Sequence, residues 1–517
     1  FYTFTFRQDV ANGIRTKALC MQALRSYSML NVYGAEIKTE YAYSNALYHK
    51  TGRGFIGFES VTSATYVDNV LKSRTVCQYE TSTMGRNAMV LPSMEKSTVP
   101  MADGQGERTA EIQSFEFDKV TCSRDDRGLV ACPAMTKKTV QKFDIDSIQS
   151  LSKLLSETLT EYHYDYNHSQ YSYPDSYACT TTTEEVKGYD ENNLSHQESF
   201  LTKKSSFTSN TTSWVLNRKD NETIIISRPG KPEVASYTEF HYDSDDDFKI
   251  SYMLAVPNGG GNLNDPLAVK TEFGYDGFGN LTKKDTTANN PTFGEGQHIN
   301  SYEYGENYEH RLLTKETVGP EADGYATTYT YDNFDRLQSA TDCNGQTIGY
   351  TTSLLGTSHT TTAIDGTELK QVSRWVNNTK YAPEGATYYT WSKQTGGIPT
   401  LVFYHKTGVE LRTVTFNLKN KPIFVDKHYD AQGRLQEVSL PYGKGEEPQW
   451  TSYKYDIYDR PTIVTLPDHS ETRTDYNGFF TKSTFYPDAE GHPDDKQETR
   501  QKVNALGWAT ESTDDEG

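Results

Sequence analysis

Apolar and polar residues alternate in short runs along much of this 517-residue chain. Segments such as "AEIKTEYAYS" and "SATYVDNVLKSRTVCQYE" place apolar side chains at about every second position. A period of two is the pattern of a β-strand with unequal faces. Clusters of Gly, Asn and Asp separate the runs, and such clusters are typical of tight turns. The pattern therefore predicts a mainly β protein built from many short strands.

One segment departs from this alternation. In "DIDSIQSLSKLLSETL", which begins at Asp144, apolar residues recur at steps of three and four, namely at Ile145, Ile148, Leu151, Leu155 and Leu159. This spacing is typical of one face of a helix. Asp144 or Asp146 is a suitable N-cap residue. We therefore expect one short helix near 144–160, which plugs or braces a sheet.

A strand–turn–strand unit recurs in the second half of the chain. Its clearest copies are "FGYDGFGNLTKKDT", "YTYDNFDRLQSAT", "KHYDAQGRLQEVS" and "YKYDIYDRPTIVT", which begin at Phe273, Tyr329, Lys427 and Tyr453. A catalytic site is normally written once in a sequence, whereas a repeated unit is typical of a building block. The repeat therefore predicts a structural building block rather than a catalytic site.

Each position of the unit has a physical role. The tyrosine ends a strand, and the aspartate opens a turn because its side chain accepts backbone N–H groups just ahead. The third residue after the aspartate is Gly or Asp, where a left-handed backbone is least costly. The following Arg is expected to pair with the turn Asp of its own or a neighbouring unit. The residues assigned to these turns are Tyr275, Asp276, Gly279, Asn280, Tyr331, Asp332, Asp335, Arg336, Tyr429, Asp430, Gly433, Arg434, Tyr455, Asp456, Asp459 and Arg460.

Weaker copies extend the repeat to both sides. They begin at Tyr164, Tyr189 and Tyr242, and degenerate copies follow Tyr304, Tyr476 and Val503. In "TLPDHSETRTDYNG", His469 stands where Gly is expected, which predicts a distorted turn. One hairpin cannot bury its face alone, so stacked hairpins are expected to form one long twisting sheet. Hydrophobic content of 35% favours a sheet with solvent on at least one side.

Composition narrows the possible partners. The net charge of −19 disfavours a phosphate backbone, so no nucleic-acid partner is expected. No apolar run of about 18 residues is present, so no membrane span is expected. The six cysteines include no C-x-x-C pair. Scattered free thiols are the favoured interpretation, although Cys122 and Cys132 flank a predicted hairpin and a bridge across it is conceivable.

Candidate chemistry is sparse. The acidic cluster "DSDDDFK" has Phe248 and Leu254 where a calcium loop needs Gly and Glu, so a solvated turn is the favoured interpretation. The 12 histidines form no H-E-x-x-H, and no G-x-S-x-G is present. No cofactor, metal or catalytic residue is assigned. A glycosidase pair of carboxylates remains the weakest alternative.

The sequence motif Y-D-x-x-G-R/N-L closely resembles the repeat of the RHS/YD-repeat family. This family includes bacterial rearrangement-hotspot proteins, the B and C components of Tc toxins, and teneurins. "GRGFIGFESV" from Gly52 and "SWVLNRKDNETI" from Ser213 resemble segments of the Tc B component and its SpvB-linked relatives. The resemblance implies a β-strip that spirals into a hollow shell around a C-terminal toxin or effector. It also implies a secreted or cell-surface bacterial protein.

The resemblance suggests a plan for the chain. Residues 1–142 would be a β-rich segment leading into the shell, 143–160 the helix, and 161–517 the YD repeats, in a fragment of a longer polypeptide. The expected partners are the cargo and neighbouring shell segments. A cell-surface adhesion or glycan-binding protein is the alternative, for which Trp375, Trp391 and Trp450 are candidate sugar-stacking residues. An open piece of shell wall is also expected to self-associate through its edges.

Overall fold

The structure is a computed structural model of the chain. It describes residues 2–4, 14–15, 19–21, 23–31, 34–49, 54–84, 87–101, 106–125, 128–146, 153–168, 174–190, 192–210, 215–243, 248–257, 265–290, 294–320 and 324–515.

Strands make up 68% of the chain and helix 1%. The strands of the first half are β1 (Tyr2–Phe4), β2 (Ile14–Arg15), β3 (Leu19–Met21), β4 (Ser26–Leu30), β5 (Glu36–His49), β6 (Gly54–Val67), β7 (Val70–Met84), β8 (Asn87–Pro100), β9 (Glu107–Asp125), β10 (Gly128–Phe143), β11 (Leu154–His168), β12 (Pro174–Tyr189), β13 (Ser195–Asn210), β14 (Val215–Ser227), β15 (Val234–Tyr242) and β16 (Ile250–Pro257).

The second half continues in the same way, with one turn of 3₁₀ helix at Glu306–Tyr308. Its strands are β17 (Val269–Tyr275), β18 (Leu281–Asn290), β19 (Gly294–Tyr304), β20 (Leu313–Val318), β21 (Tyr325–Tyr331), β22 (Leu337–Thr341), β23 (Thr347–Thr352), β24 (Ser358–Thr362), β25 (Glu368–Trp375), β26 (Ala386–Gln394), β27 (Thr400–His405), β28 (Glu410–Phe416), β29 (Pro422–Tyr429), β30 (Leu435–Ser439), β31 (Tyr442–Gly443), β32 (Trp450–Tyr455), β33 (Pro461–Thr465), β34 (Glu471–Asn477), β35 (Phe480–Tyr486), β36 (Gln497–Val503) and β37 (Ala509–Thr513).

The 34 strands from β4 to β37 form one long antiparallel strip. Nearly every strand pairs with the strands before and after it in sequence, as β11 pairs with β10 and β12. Short strand β31 adds to β29, and β30 pairs with β32. No pairing between described residues joins β4 to β37, so the strip is open. Short turns suffice to connect antiparallel neighbours, so the predicted stack of hairpins is confirmed as one continuous sheet.

The strip narrows along its length. Strands β5 to β14 contain 13 to 19 residues, whereas β20 to β37 contain two to nine. At about 3.3 Å per residue, the width therefore falls from about 50 Å to about 20 Å.

The predicted helix near 144–160 is wrong. Leu154–His168 is strand β11, and its residues from Leu154 onward pair with β10. Residues 144–146 are not helical, and 147–152 lie outside the described residues. The segment "TLTEYHY" is rich in β-branched and aromatic residues, and the two flanking strands offer it backbone partners on both sides. These pairings outweigh a helical spacing that covers only a few turns.

The sheet forms a thin wall with solvent on both faces. Its accessible surface is 31467 Å² for a mass of 58.4 kDa. A compact monomer of that mass exposes about 19,000 Å². Most described strand residues are half-buried, and the buried hydrophobic residues form small separate clusters. The strip therefore has no thick core of the kind that a packed globular domain has.

The largest of these clusters is centred on Phe403, Val414 and Phe424. Tyr381 and Ala382, from the loop between β25 and β26, pack against it. This loop folds back over one face of the strip and gives it a second layer there. The wall is therefore thickest around strands β27 to β29.

The cysteines support no zinc or disulfide framework within the described side chains. Cys77, Cys179 and Cys343 are free thiols. The predicted hairpin around Cys122 and Cys132 is present as β9 and β10, and its register pairs Cys122 with Val130 and Cys132 with Val120. The side chains of these two cysteines lie outside the described residues, as do residues 244–247 of the acidic cluster.

Candidate functional site: the turns and the seam between coils

The turn that follows each Tyr-Asp pair has one fixed geometry. At Asp332, the backbone N–H donates to the carbonyl of Arg336 at 2.9 Å, and the N–H of Asp335 donates to the Asp332 carbonyl at 3.0 Å. The Asp332 carboxylate oxygen Oδ1 also accepts the N–H groups of Phe334 and Arg336 at 2.8 and 3.1 Å. The aspartate therefore satisfies two backbone donors that a five-residue turn would otherwise leave unpaired.

The other three clear copies have the same hydrogen bonds. Asp276, Asp430 and Asp456 each accept the N–H groups two and four residues ahead through Oδ1. The third residue after each aspartate has a left-handed backbone, with φ of 92° at Gly279, 61° at Asp335, 88° at Gly433 and 64° at Asp459. Gly or Asp at this position thus matches a conformation that most residues avoid.

Arg336 and Arg434 each close their own turn and contact the next turn on the same edge. Arg434 donates from Nε to Asp430 Oδ2 at 2.7 Å and from Nη1 to Asp459 Oδ1 at 2.7 Å. Arg336 likewise bonds Asp332 and reaches the carbonyl of Ser353 at 2.9 Å. The Arg336 hydrogen bond holds the pKa of the Asp332 carboxyl below its ordinary value. Consecutive turns on one edge of the strip are therefore linked by charged hydrogen bonds.

The tyrosines link neighbouring units by a different bond. Their hydroxyl groups donate to the backbone carbonyl near the start of an earlier strand: Tyr331 to Leu313 at 2.7 Å, Tyr429 to Glu410 at 2.9 Å, Tyr455 to Leu435 at 2.7 Å and Tyr476 to Pro461 at 3.0 Å. Each accepting residue begins the strand that directly precedes the tyrosine's own strand in the strip. This bond explains why the repeat contains tyrosine rather than phenylalanine.

We expect Tyr455→Phe to lower the stability of the strip locally by about 1 kcal/mol, because the Leu435 carbonyl loses its donor. Hydrogen exchange of the β30 and β32 amides would measure this loss. Tyr325→Phe is the matched control, since the Tyr325 side chain is 72% exposed. Equal exchange in the two variants would contradict the proposed link.

Further turns share the geometry without the Tyr-Asp spelling. The same pair of backbone hydrogen bonds opens at Asp342, Ala363, His405, Asn417, Leu466 and Asn504. The turn at Ser353 is one residue longer, because its N–H donates to the Ser358 carbonyl at 2.8 Å. Two of these turns were recognised in the sequence: the one at Asn504 as a degenerate copy, and the one at Leu466 because His469 stands where Gly is expected. The available signal was a Gly or Asn three residues after the opening residue, as at Gly345 and Asn420.

The weaker sequence copies have different outcomes. Asp190 opens the same turn, with its Oδ1 accepting the N–H groups of Asn192 and Leu194. Tyr164 and Asp165 instead lie inside strand β11, away from any turn. Asp243 bonds to the carbonyl of Lys249 across a longer loop.

The turn at His469 is regular rather than distorted. The His469 N–H donates to the Leu466 carbonyl at 2.9 Å, and the Leu466 N–H donates to the Ser470 carbonyl at 2.9 Å. His469 reaches this geometry with φ of 68°, which is costly for a residue with a Cβ atom.

We therefore expect His469→Gly to stabilise this hairpin by about 1 kcal/mol, because glycine adopts a left-handed backbone without that strain. Hydrogen exchange of the β33 and β34 amides is the measurement. His359→Gly is the control, because His359 lies within a strand where glycine only weakens the structure. Faster exchange in His469→Gly would contradict the strain argument.

Since successive strands are antiparallel, the turns alternate between two edges of the strip. We call the edge with the turns at Asp276, Asp332, Asp430 and Asp456 the lower edge. The upper edge holds the turns at 31–35, 68–69, 101–106, 144–153 and 190–194.

The strip winds back on itself, so the upper edge of its early strands contacts the lower edge of its last strands. We call the strip before Asp430 the first coil and the strip from Asp430 onward the second coil. Arg460 bridges them, donating from Nη2 to Asp146 Oδ1 at 2.5 Å and from Nη1 to Oδ2 at 3.2 Å. The N–H of Gly478 donates to the same carboxylate at 3.2 Å. The Asp146 side chain is only 10% exposed. Asp146 therefore binds two different turns of the coil beside it.

Other contacts follow in the same order along both edges. Tyr458 donates its hydroxyl to the carbonyls of Pro100 and Ile145 at 3.1 and 3.0 Å. The remaining contacts are Asn31 with Ala431 at 2.5 Å, Lys72 with Asp459 at 3.2 Å, Asn504 with Glu198 at 3.0 Å, and Arg228 over the Trp508 ring at 4.4 Å.

Later residues of the first coil thus meet later residues of the second, as in a screw. We call this contact the seam. Across the described residues it consists of turns and side chains, and no strand of one coil pairs with a strand of the other.

A cleft of about 910 Å³ lies in the seam between the two coils. Its walls include Lys153, Tyr189 and Glu198 from the first coil and Phe480 and Lys502 from the second. Within the described part of the chain, no three His, Cys, Asp or Glu side chains are grouped to hold a metal ion. No helix among the described residues is long and apolar enough to cross a membrane.

Comparison by sequence finds no matching protein family and no matching characterised protein. Comparison by structure finds a similar fold in the crystal structures of TcdB2-TccC3, of TcdB2-TccC3-Cdc42 and of TcdB2-TccC3 without its hypervariable C-terminal region. Their TM-scores are 0.58, 0.60 and 0.58, at 12%, 11% and 11% identity.

The likeness covers 95%, 96% and 96% of this chain. The chain spans about a third of the solved chains, at 33%, 36% and 37% of their lengths. At this level of identity the likeness shows the fold. It confirms, for the fold, the resemblance to Tc toxin components that the repeats had indicated.

Proposed function

Because the strip has the fold of the TcdB2-TccC3 chains, we propose that it forms wall of a hollow β-shell. The cargo of this shell is a toxin or effector polypeptide carried in the same assembly. The protein then acts as a scaffold, and the Tyr-Asp turns are structural sites rather than catalytic ones.

One observation carries this proposal: the strip is one sheet thick, and its second coil abuts its first. The accessible surface of 31467 Å² exceeds the roughly 19,000 Å² of a compact protein of this mass by more than half. A solid body does not explain that excess, whereas a wall with solvent on both faces does. The seam joins the coils edge to edge, which is how a strip encloses a space.

The proposed partners follow from the wall. They are the enclosed polypeptide and neighbouring shell segments. A net charge of −19 disfavours nucleic acid. Secretion by, or display on, a bacterium belongs to the same proposal and is supported only by the fold likeness.

Electron microscopy of the full-length natural product tests the proposal. We expect a closed hollow body with diffuse density inside. Limited proteolysis of the same sample should leave an enclosed polypeptide intact until the shell is denatured. A filled body, or an open elongated one with no protected polypeptide, would overturn the container.

A glycan-binding surface is the second candidate, and one observation favours it. Trp375 is 76% exposed and begins a row of aromatic rings across three strands. The ring centroids of Trp375 and Tyr388 are 6.2 Å apart, and those of Tyr388 and Tyr404 are 5.0 Å apart. The other two candidate residues, Trp391 and Trp450, are half-buried. The Trp450 ring stacks on the His428 ring with 4.5 Å between the centroids. A glycan array probed with the wild type and with Trp375→Ala separates the candidates: Trp375-dependent binding supports adhesion, and absence of binding removes it.

A further inference from the structure

The lower edge of the first coil carries a row of exposed apolar side chains at its turns. Phe278, Phe334, Leu354, Leu355 and Trp375 are 68%, 60%, 71%, 83% and 76% exposed. They belong to consecutive or near-consecutive turns of one edge, so they form one row. Scattered exposed apolar residues are ordinary, but a continuous row of this size typically marks a contact surface.

Apolar residues at the corresponding position are half-buried where the lower edge contributes to the seam. Phe278, Phe334 and Leu355 each lie two residues after the residue that opens the turn. Tyr458 and Leu506 have that position in the second coil, and both are half-buried. Tyr458 reaches two carbonyls of the coil beside it. The second turn residue is therefore one of the positions through which the lower edge contacts another coil.

The upper edge is also free after residue 228, where its turns make none of the described seam contacts. The turns there expose Ile364, Leu418 and Leu466 at 54%, 99% and 40%. Lys419 and Lys421 flank Leu418 and are exposed. In the seam, Lys72 of the upper edge pairs with Asp459 of the lower edge. On the free lower edge, Asp335 occupies the corresponding turn position, with a side chain 42% exposed.

We propose that the free lower edge around Phe334 and Leu355 binds the free upper edge around Leu418 of a second copy of this chain. The contact repeats the seam between molecules: apolar turn residues pack together, and Lys419 or Lys421 meets Asp335. The two surfaces differ, so the contact is heterologous. A dimer formed in this way keeps one free edge of each kind, so growth continues beyond it.

The test is sedimentation of the purified 517-residue chain over a hundredfold range of concentration. We expect species of increasing mass for the wild type. The double variant Leu354→Ser/Leu355→Ser should shift association to at least about tenfold higher concentration, which is the loss of about 1.4 kcal/mol. Both side chains are more than two-thirds exposed, so folding should be unchanged, as checked by circular dichroism.

Two further variants test the upper edge around Leu418 and the competing association through an open strand edge. Leu418→Ser should weaken association as the lower-edge variant does. Met29→Lys is the matched control, because Met29 is 57% exposed on the terminal strand β4 rather than at a turn. A wild type that stays monomeric at every concentration would overturn the proposal. Association that only Met29→Lys abolishes would also overturn it, because the copies would then associate by pairing of open strands.

Discussion

Asp146→Ala is expected to weaken the seam by about 2–3 kcal/mol while every turn of the repeat keeps its own hydrogen bonds. Asp146 lies outside the repeat and contacts the second coil through Arg460 and Gly478. Its removal leaves the Arg460 guanidinium, which is 28% exposed, with Asp456 as its only carboxylate partner among the described contacts. The Gly478 N–H loses its acceptor as well.

Hydrogen exchange at Tyr458, Gly478 and the residues around Pro100 would measure this opening. Small-angle scattering should report a larger radius of gyration, because the coils separate without unfolding. Glu303→Ala is the control: Glu303 pairs with Lys315, and these side chains are 63% and 38% exposed, so its loss should matter by less than about 1 kcal/mol. Unchanged protection at Tyr458 in Asp146→Ala would mean that the seam does not depend on this carboxylate.

The seam also shows what the sequence could not reveal. Asp146 and Arg460 are 314 residues apart, and no local pattern marks either as the partner of the other. The expectation that an Arg pairs with the Asp of its own or a neighbouring unit described Arg336 and Arg434. Arg460 also binds Asp146, and which residue it meets there depends on how far the strip advances in one coil. That distance is set by strand length and twist summed over many strands.

Features that depend on neighbouring residues could be predicted from the sequence. Alternation and turn residues predicted a mainly β fold and a continuous stack of hairpins, since neighbouring strands in an antiparallel strip are also neighbours in sequence. The helix failed because Leu155 and Leu159 are compatible with either a helical face or a strand, and pairing with β10 and β12 decided between them. The turn at Ala363 was missed because its opening residue has no side chain that accepts the N–H groups ahead, so no Asp or Asn marks it in the sequence.

A buried ionic cluster stabilises the thickest part of the wall. Arg412 donates from Nε and Nη2 to the two oxygens of Asp426 at 2.5 and 2.6 Å. Tyr442 donates its hydroxyl to the same carboxylate at 2.6 Å. Asp426 itself is 7% exposed. Burial, reinforced by the hydrogen bond to Asp426, raises the pKa of the Tyr442 hydroxyl to about 12.

Arg412→Met is therefore expected to destabilise strands β27 to β29 by about 3–5 kcal/mol, because it leaves a buried carboxylate without its cation. Methionine keeps much of the volume that packs beside Phe424. Hydrogen exchange of the β28 and β29 amides is the measurement. Lys315→Met is the control, because its exposed ion pair with Glu303 is worth less than about 1 kcal/mol.

The double variant Arg412→Met/Asp426→Asn separates lost charge pairing from lost packing. The neutral amide needs no cation, and its oxygen can still accept the Tyr442 hydroxyl, so we expect it to recover more than half of the lost stability. Asp426→Asn alone should lower the pKa of Tyr442 from about 12, because the neighbouring negative charge no longer opposes ionisation. Spectrophotometric titration would detect this shift. If the double variant is no more stable than Arg412→Met, the loss arises from packing around Phe424 rather than from an unpaired charge, since only the second cause disappears with the carboxylate.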